Sequence, residues 1–193
     1  MANFDVTVSK PANPSGGVTF GTPDSTLPTD AKAALPATFK PLGYVNEDGV
    51  QLTDDASDED IQIWGGQKVR KVRSEFSSSI TFTLYSTRDV DVLKAVFGDK
   101  NVEGTGSSIT VRHNADISPV RPFTVETKDE SDFARRFVIP RGQLTVSGDR
   151  TLNHSSADGF EVTIDALVDE DGNNYYEYTE LPAESATKAP QEA

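Results

Sequence analysis

The sequence predicts a mainly β protein, an antiparallel β-sandwich or barrel with one flanking α-helix. Apolar residues alternate with Ser and Thr from Phe76 to Leu84, as in a strand with one buried face. Short runs of the same kind fill the second half of the chain, and turn residues separate them at hairpin intervals. Only residues 87–97 have the apolar spacing of a convincing helix.

The first 30 residues are predicted to form an extended arm. Pro11, Pro14, Pro23 and Pro28 interrupt any helix, and only short runs between them have strand character. An arm of this composition becomes ordered only by packing on another surface. The domain proper is therefore expected over residues 31–178.

Residues 46–60 are predicted to form a long, mobile acidic loop within that domain. Seven of these fifteen residues are Asp or Glu and none is basic. Their charges repel one another, and the segment offers little apolar surface to bury. Asp48-Gly49 is a hairpin-turn signal inside it.

The remaining elements follow in chain order. The helix over 87–97 is expected to begin after Ser86 or Thr87 as its N-cap and to end at Gly98. Few apolar residues follow residue 178, so residues 179–193 are predicted to form a disordered tail. Strand patterns besides the alternating run lie at 61–64, 69–73, 108–113, 121–127, 133–139, 143–147 and 160–167.

The charge balance and composition exclude several classes of protein. The 193 residues include 31 acidic and 18 basic side chains, which gives a formal net charge of −13. Nucleic-acid affinity and binding to anionic membranes both depend on clustered Lys and Arg, so neither partner is expected. No apolar run approaches the roughly 20 residues of a membrane span. The absence of Cys excludes disulfides, thiolate metal sites and Cys nucleophiles.

The sequence also lacks the motifs of catalysis and of cofactor binding. It contains no G-x-S-x-G, Walker loop, H-E-x-x-H or Rossmann glycine pattern. His113 and His154 are interpreted as packing or solvated histidines. We therefore predict that the protein is not an enzyme and has no catalytic residue, no cofactor and no metal site.

One dense basic cluster follows the acidic segment. It consists of Lys68, Arg70, Lys71 and Arg73. Strand alternation would place neighbouring residues of the cluster on opposite faces, so these cations need not act as one patch. The favoured role is pairing with acidic residues of the same or a neighbouring subunit.

An ordered series of short motifs resembles the major tail (tail tube) proteins of long-tailed, siphovirus-type bacteriophages. The resemblance extends over roughly residues 18–178, and its specific part lies between 21 and 87. The nearest likeness is to tube proteins of phages that infect actinobacteria. The motifs are Gly21-Thr22-Pro23, Leu27-Pro28-Thr29-Asp30, Leu42-Gly43-Tyr44-Val45, Glu47-Asp48-Gly49-Val50, Ile63-Trp64-Gly65-Gly66 and Phe82-Thr83-Leu84-Tyr85-Ser86-Thr87.

The resemblance implies a β-sandwich flanked by a helix whose copies form rings, usually sixfold, that stack into a tail tube. DNA passes through such a tube without specific binding and is ejected into the host. The implied partners are further copies of the chain and the tape measure, tail terminator and tail-tip proteins. The implied location is the virion, after assembly in the bacterial cytoplasm. An acidic inner wall would keep DNA from adhering, which is one physical use of the charge of −13.

In such tubes an N-terminal arm and a long loop bridge rings, and the resemblance transfers these roles by position. The expected arm contacts are Phe4, Val6, Val18, Phe20 and Leu27. The expected inter-ring loop residues are Glu47, Asp48, Asp54, Asp55, Asp58, Glu59 and Asp60, with Lys68, Arg70, Lys71 and Arg73 as their possible basic counterpart.

Two alternative classes share the predicted fold. One is another virion β-protein, such as a head–tail connector or a capsid decoration subunit, and the same sandwich also forms the tube of contractile injection systems. The other is a carbohydrate-binding or adhesin-type β-sandwich. Trp64 is the single Trp of the chain, which disfavours an aromatic sugar platform.

Overall fold

The computed structural model describes residues 7–15, 17–105 and 107–181. Phe4 and Val6 of the predicted arm, and residues 182–193 of the predicted tail, lie outside these ranges. The predicted fold class is confirmed, since the described residues form antiparallel strands and one α-helix. The elements are β1 (Lys10–Pro11), β2 (Val18–Phe20), β3 (Lys40–Pro41), β4 (Val45–Gln62), β5 (Lys68–Leu84), α1 (Val90–Phe97), β6 (Val102–Thr105), β7 (Ser108–Val111), β8 (Arg121–Lys128), β9 (Ala134–Val146), β10 (Phe160–Ala166) and β11 (Tyr176–Thr179).

One antiparallel sheet organises the molecule, and β9 is its shared strand. The strand order is β3-β2-β8-β9-β10-β5-β4, with β1 also paired to β8 and β11 also paired to β9. The first part of β9 pairs with β8, and its last part pairs with β10. The two parts of β9 therefore connect two halves of the sheet. The β6–β7 hairpin is separate and packs beside α1.

A single apolar core joins the two halves of the sheet and the helix. Strand alternation supplies it, because every second residue of β10 is buried and the part of β5 from Ser78 onward follows the same rule. The helix contributes the buried face predicted from its spacing. The most enclosed side chains include Phe123, Leu42, Ile80, Leu84, Ile139, Leu144 and Ile164.

Gly142 lies in β9 where side chains of β8 and β10 converge. A Cβ at this position would lie 2.5 Å from Phe123 Cδ2 and 2.8 Å from Ile164 Cγ2. Both neighbours are fully buried and cannot move into solvent. We expect Gly142→Ala to lower the free energy of unfolding by about 1–3 kcal/mol, measured by urea denaturation.

Phe123→Leu in the Gly142→Ala background provides the control. The smaller side chain makes room for the new methyl group, so the double variant should lose less stability than the sum of the two single losses. Strict additivity of the two losses would contradict this account of Gly142.

Pro140 does not end a strand, although the strand pattern predicted over 133–139 stops just before it. The structure has one strand from Ala134 to Val146. The register between β8 and β9 is irregular between Arg121 and Phe123, and Pro140 lies opposite this interruption together with Pro122. Because the ladder is already interrupted there, the missing N–H of a proline is tolerated.

The prediction of an independent arm over the first 30 residues is wrong for the part that forms β1 and β2. β1 and β2 are hydrogen-bonded members of the sheet beside β8. Val18 and Phe20, predicted to contact another subunit, are only 1% and 6% exposed and lie in the protein's own core. Leu27 is half-buried. The sequence suggested an independent arm because Pro and Gly flank β2. Its partner strand, β8, lies more than 100 residues further along the chain.

The acidic segment 46–60 is a strand, and its prediction as a mobile loop is wrong. It belongs to β4, which pairs with β5 along its length. The physical reason is that alternation divides its carboxylates between two faces, while cations of β5 lie opposite Asp58 and Asp60. Cross-strand pairs of opposite charge stabilise a sheet.

The helix and tail boundaries also shift. Asp89, rather than Ser86 or Thr87, is the N-cap, because its carboxylate accepts the backbone N–H groups of Asp91 and Val92. The C-cap is Gly98, as predicted. At the other end, β11 reaches Thr179, and the Glu180 N–H donates to the Ala134 carbonyl at 2.8 Å. The ordered domain therefore extends past residue 178.

Candidate assembly surface

A two-stranded arm extends beyond the body of the protein. Every residue from 54 to 77 is exposed, so both faces of β4 and β5 are in contact with solvent over this stretch. Asp54 anchors the base, since its carboxylate accepts the hydroxyls of Ser78 at 2.6 Å and Tyr175 at 2.8 Å. We call residues 55–77 the projecting hairpin. An isolated two-stranded hairpin is only marginally stable in water, so this one is expected to gain from a partner surface.

Ion pairs across the projecting hairpin unite part of the acidic segment with the basic cluster. Asp58 lies 2.6 Å from Lys71 Nζ and 3.2 Å from Arg73 Nε. Asp60 lies 2.5 Å from Lys68 Nζ. The structure therefore places three of the four predicted cations beside carboxylates of the same chain.

The other predicted charges are free of such pairing. Within the described part of the chain, none of them lies within ion-pair distance of an opposite charge. Arg70 is the unpaired cation of the basic cluster. The unpaired carboxylates are Glu47, Asp48, Asp54, Asp55 and Glu59.

The hydrogen bonds from Lys71 and Arg73 lower the pKa of Asp58 from its ordinary value of 3.8. A lowered carboxyl pKa contributes stability that is present above the ordinary value and is lost as pH falls through the lowered one. We expect Lys71→Met to raise the pKa of Asp58 toward 3.8, measured by NMR titration of its carboxyl carbon. Lys68→Met is the control, since Lys68 pairs with Asp60 and should leave the pKa of Asp58 in place. Equal effects of the two variants would contradict the specific pairing.

Apolar side chains stand out on the projecting hairpin. Trp64 is fully exposed, at 104% of its reference area. It lies in the turn at the tip, where the Gly66 N–H donates to the Ile63 carbonyl and the Ile63 N–H donates to the Gln67 carbonyl. Sequence reasoning missed these side chains as contacts, although the alternation before Gly65-Gly66 was the available signal. The other exposed apolar residues are Ile61, Ile63, Val69, Val72 and Phe76.

The main sheet also has open strand edges. β3 and β4 end the strand order of the sheet, so each has one unpaired edge among the described strands. Such edges are templates for pairing with another chain, and charged side chains limit uncontrolled pairing. The carboxylates along β4 fit that role.

Arg136 ties the segment around Asp30 to the sheet. It is 4% exposed and donates from Nε to Glu126 at 2.7 Å. Its two terminal nitrogens donate to the carbonyls of Asp30 at 2.7 Å and Ala33 at 2.8 Å. The Asp30 carboxylate accepts the backbone N–H groups of Lys32 and Ala33, which lowers its pKa and closes the turn. This segment is therefore held in place although it has no regular secondary structure.

A groove of about 620 Å³ lies between β1 and the irregular start of β4, residues 45–50. Its apolar wall includes Pro11, Pro14, Val50, Leu52 and Phe137. On the side of β4, the groove is lined by Asn46, Glu47 and Asp48.

The described ranges contain no group of three or more His, Asp or Glu side chains placed to hold a metal ion. No helix within the same ranges is long and apolar enough to cross a membrane.

Open strand edges and an exposed two-stranded hairpin are typical of the subunits of larger assemblies. A family model described as phage tail tube protein matches residues 2–189, nearly the whole chain. The chain therefore belongs to the phage tail tube protein family, whose members are structural, non-enzymatic proteins that polymerise in the tail of the virion. No curated protein matches the chain.

Proposed function

We propose that this chain forms hexameric rings that stack into the tail tube of a long-tailed phage, through which DNA is ejected into the host. The observation that carries the proposal is the projecting hairpin, which extends from the body with both faces exposed. A monomer gains nothing from such an arm, whereas a polymer buries it between subunits.

Lateral contacts within a ring are assigned to the open strand edges. β4 of one subunit is the longer edge and presents a continuous row of backbone donors and acceptors. Joining of edges around the ring would extend each sheet into its neighbours. The net charge of −13 per subunit supports an acidic tube that repels DNA.

Contacts between rings are assigned to the hairpin and the arm. The acidic residues Asp58 and Asp60 already pair within the chain, so the inter-ring role falls on the unpaired charges Asp55, Glu59 and Arg70. Glu47, Asp48 and Asp54 lie at the base of the hairpin and are proposed to contact a subunit there. Of the arm residues, Phe4, Val6 and Leu27 are proposed to contact a neighbouring ring. Val18 and Phe20 are not, because they are core residues.

The same proposal includes the proteins that close the ends of a tube and set its length. We infer contacts with the tape measure, tail terminator and tail-tip proteins, and assembly in the bacterial cytoplasm. The likeness of residues 21–87 to tube proteins of actinobacterial phages supports a host of that lineage.

Electron microscopy of the purified protein, concentrated at physiological salt, tests the proposal. Long hollow tubes of uniform width with stacked rings are expected. Single closed rings would overturn it in favour of a connector. A chain that stays monomeric with an added fragment of preformed tail would overturn it as well.

A further inference from the structure

We propose that the tip of the projecting hairpin docks into the groove beside β1 of a second copy of the chain, with Trp64 as the apolar anchor. This inference rests on the proposed function, and it names the surfaces that join one subunit to the next. Trp64 is fully exposed, and the backbone hydrogen bonds of its turn hold it at the end of the arm. Trp is among the residues that most often dominate binding energy at protein interfaces.

The groove has the size and lining that such an anchor needs. Its volume of about 620 Å³ lies within the range of about 300–1,000 Å³ typical of pockets that enclose a ligand. Val50, Leu52 and Phe137 supply apolar surface for an indole ring.

Charge complementarity favours the same pairing. Arg70, near the tip, makes no ion pair with a described residue. Glu47 and Asp48 line the groove and make no ion pair with a described residue, whereas the two cations that also line it, Lys10 and Arg135, are paired with Asp132 and Glu177. Bringing the tip to the groove would therefore place an unpaired cation beside two unpaired carboxylates, which guides the encounter and fixes its register.

The tip cannot reach the groove of its own subunit. Leu52 lines the groove, and Gln62 lies ten residues further along the same strand. At a rise of about 3.3 Å per residue, the paired strands hold the tip about 30 Å away. The occupant must therefore be another copy of the chain. A tip-to-groove contact joins two different surfaces, and contacts of this kind produce open-ended assemblies when the rotation between copies does not close.

Fluorescence of the single Trp tests the inference directly. We expect a blue-shifted emission and a several-fold lower acrylamide quenching constant in the sedimented polymer than in the dilute chain. Trp64→Ala should raise the critical concentration for polymerisation by about tenfold or more. A Trp64 that is as accessible in the polymer as in the dilute chain overturns the inference and leaves the tube proposal intact. A chain that never polymerises overturns both.

A charge swap tests the groove itself. Arg70→Glu and Glu47→Arg should each weaken polymerisation, and the double variant should restore it. Asp149→Arg, an exposed change outside the groove, is the control and should not rescue Arg70→Glu. Equal rescue by both substitutions, or rescue by neither, would overturn the assignment of the groove.

Discussion

Replacing residues 57–75 by Asn-Gly is expected to abolish tube formation while the body of the protein remains folded. Ala56 and Phe76 are direct cross-strand partners, so a two-residue Asn-Gly turn can close the shortened hairpin in register. The removed residues are all exposed, and the core contacts of β5 begin at Ser78. The loss should therefore fall on assembly, measured by electron microscopy and sedimentation, and not on the urea midpoint.

The matched control keeps the hairpin and neutralises only one of its unpaired charges. Asp55→Asn leaves β4 and β5 intact, so tubes should still form, with a higher critical concentration at most. Tubes of normal width from the shortened chain would contradict the role assigned to the projecting hairpin. A large drop in the urea midpoint would show instead that the hairpin supports the fold.

Arg136→Met is expected to destabilise the protein by about 3–5 kcal/mol. The substitution leaves the Glu126 carboxylate, which is largely buried, without its partner. It also removes the donors to the carbonyls of Asp30 and Ala33, so the segment around them should detach from the sheet. Urea denaturation measures the first effect, and hydrogen exchange at residues 30–35 measures the second.

Arg121→Met is the matched control because Arg121 is equally enclosed and poorly paired. Arg121 is 7% exposed, its nearest carboxylate oxygen is on Asp99 at 3.7 Å, and its Nε has no partner among the described residues. Burial lowers its pKa, which shows that desolvation disfavours the charge. Replacing such a cation by an apolar side chain is expected to be neutral or stabilising. Equal losses in the two variants would mean that packing, and not pairing, explains both.

The local patterns of the sequence determined the class of fold. Alternation over Phe76–Leu84 and Phe160–Ala166 predicted two central strands of the core, because a period of two places every second side chain on one face. Helical spacing and Gly98 predicted the helix and its end. The ordered motifs between residues 21 and 87 predicted the family, which the family model confirms. Each of these signals lies within a short stretch of chain.

Only the tertiary structure decided what depends on partners distant in sequence. Residues 46–60 repel one another when read alone, yet they form a strand because β5 supplies hydrogen bonds and opposing cations. The stretch that contains Val18 and Phe20 reads as a free arm in the sequence, but its pairing with β8 makes it part of the sheet. The carbonyls of Asp30 and Ala33 that Arg136 binds lie about 100 residues away, so no local pattern reveals that it fastens the Asp30 segment. Composition reports the charge of a segment, but the pairing of strands decides whether that charge repels or binds.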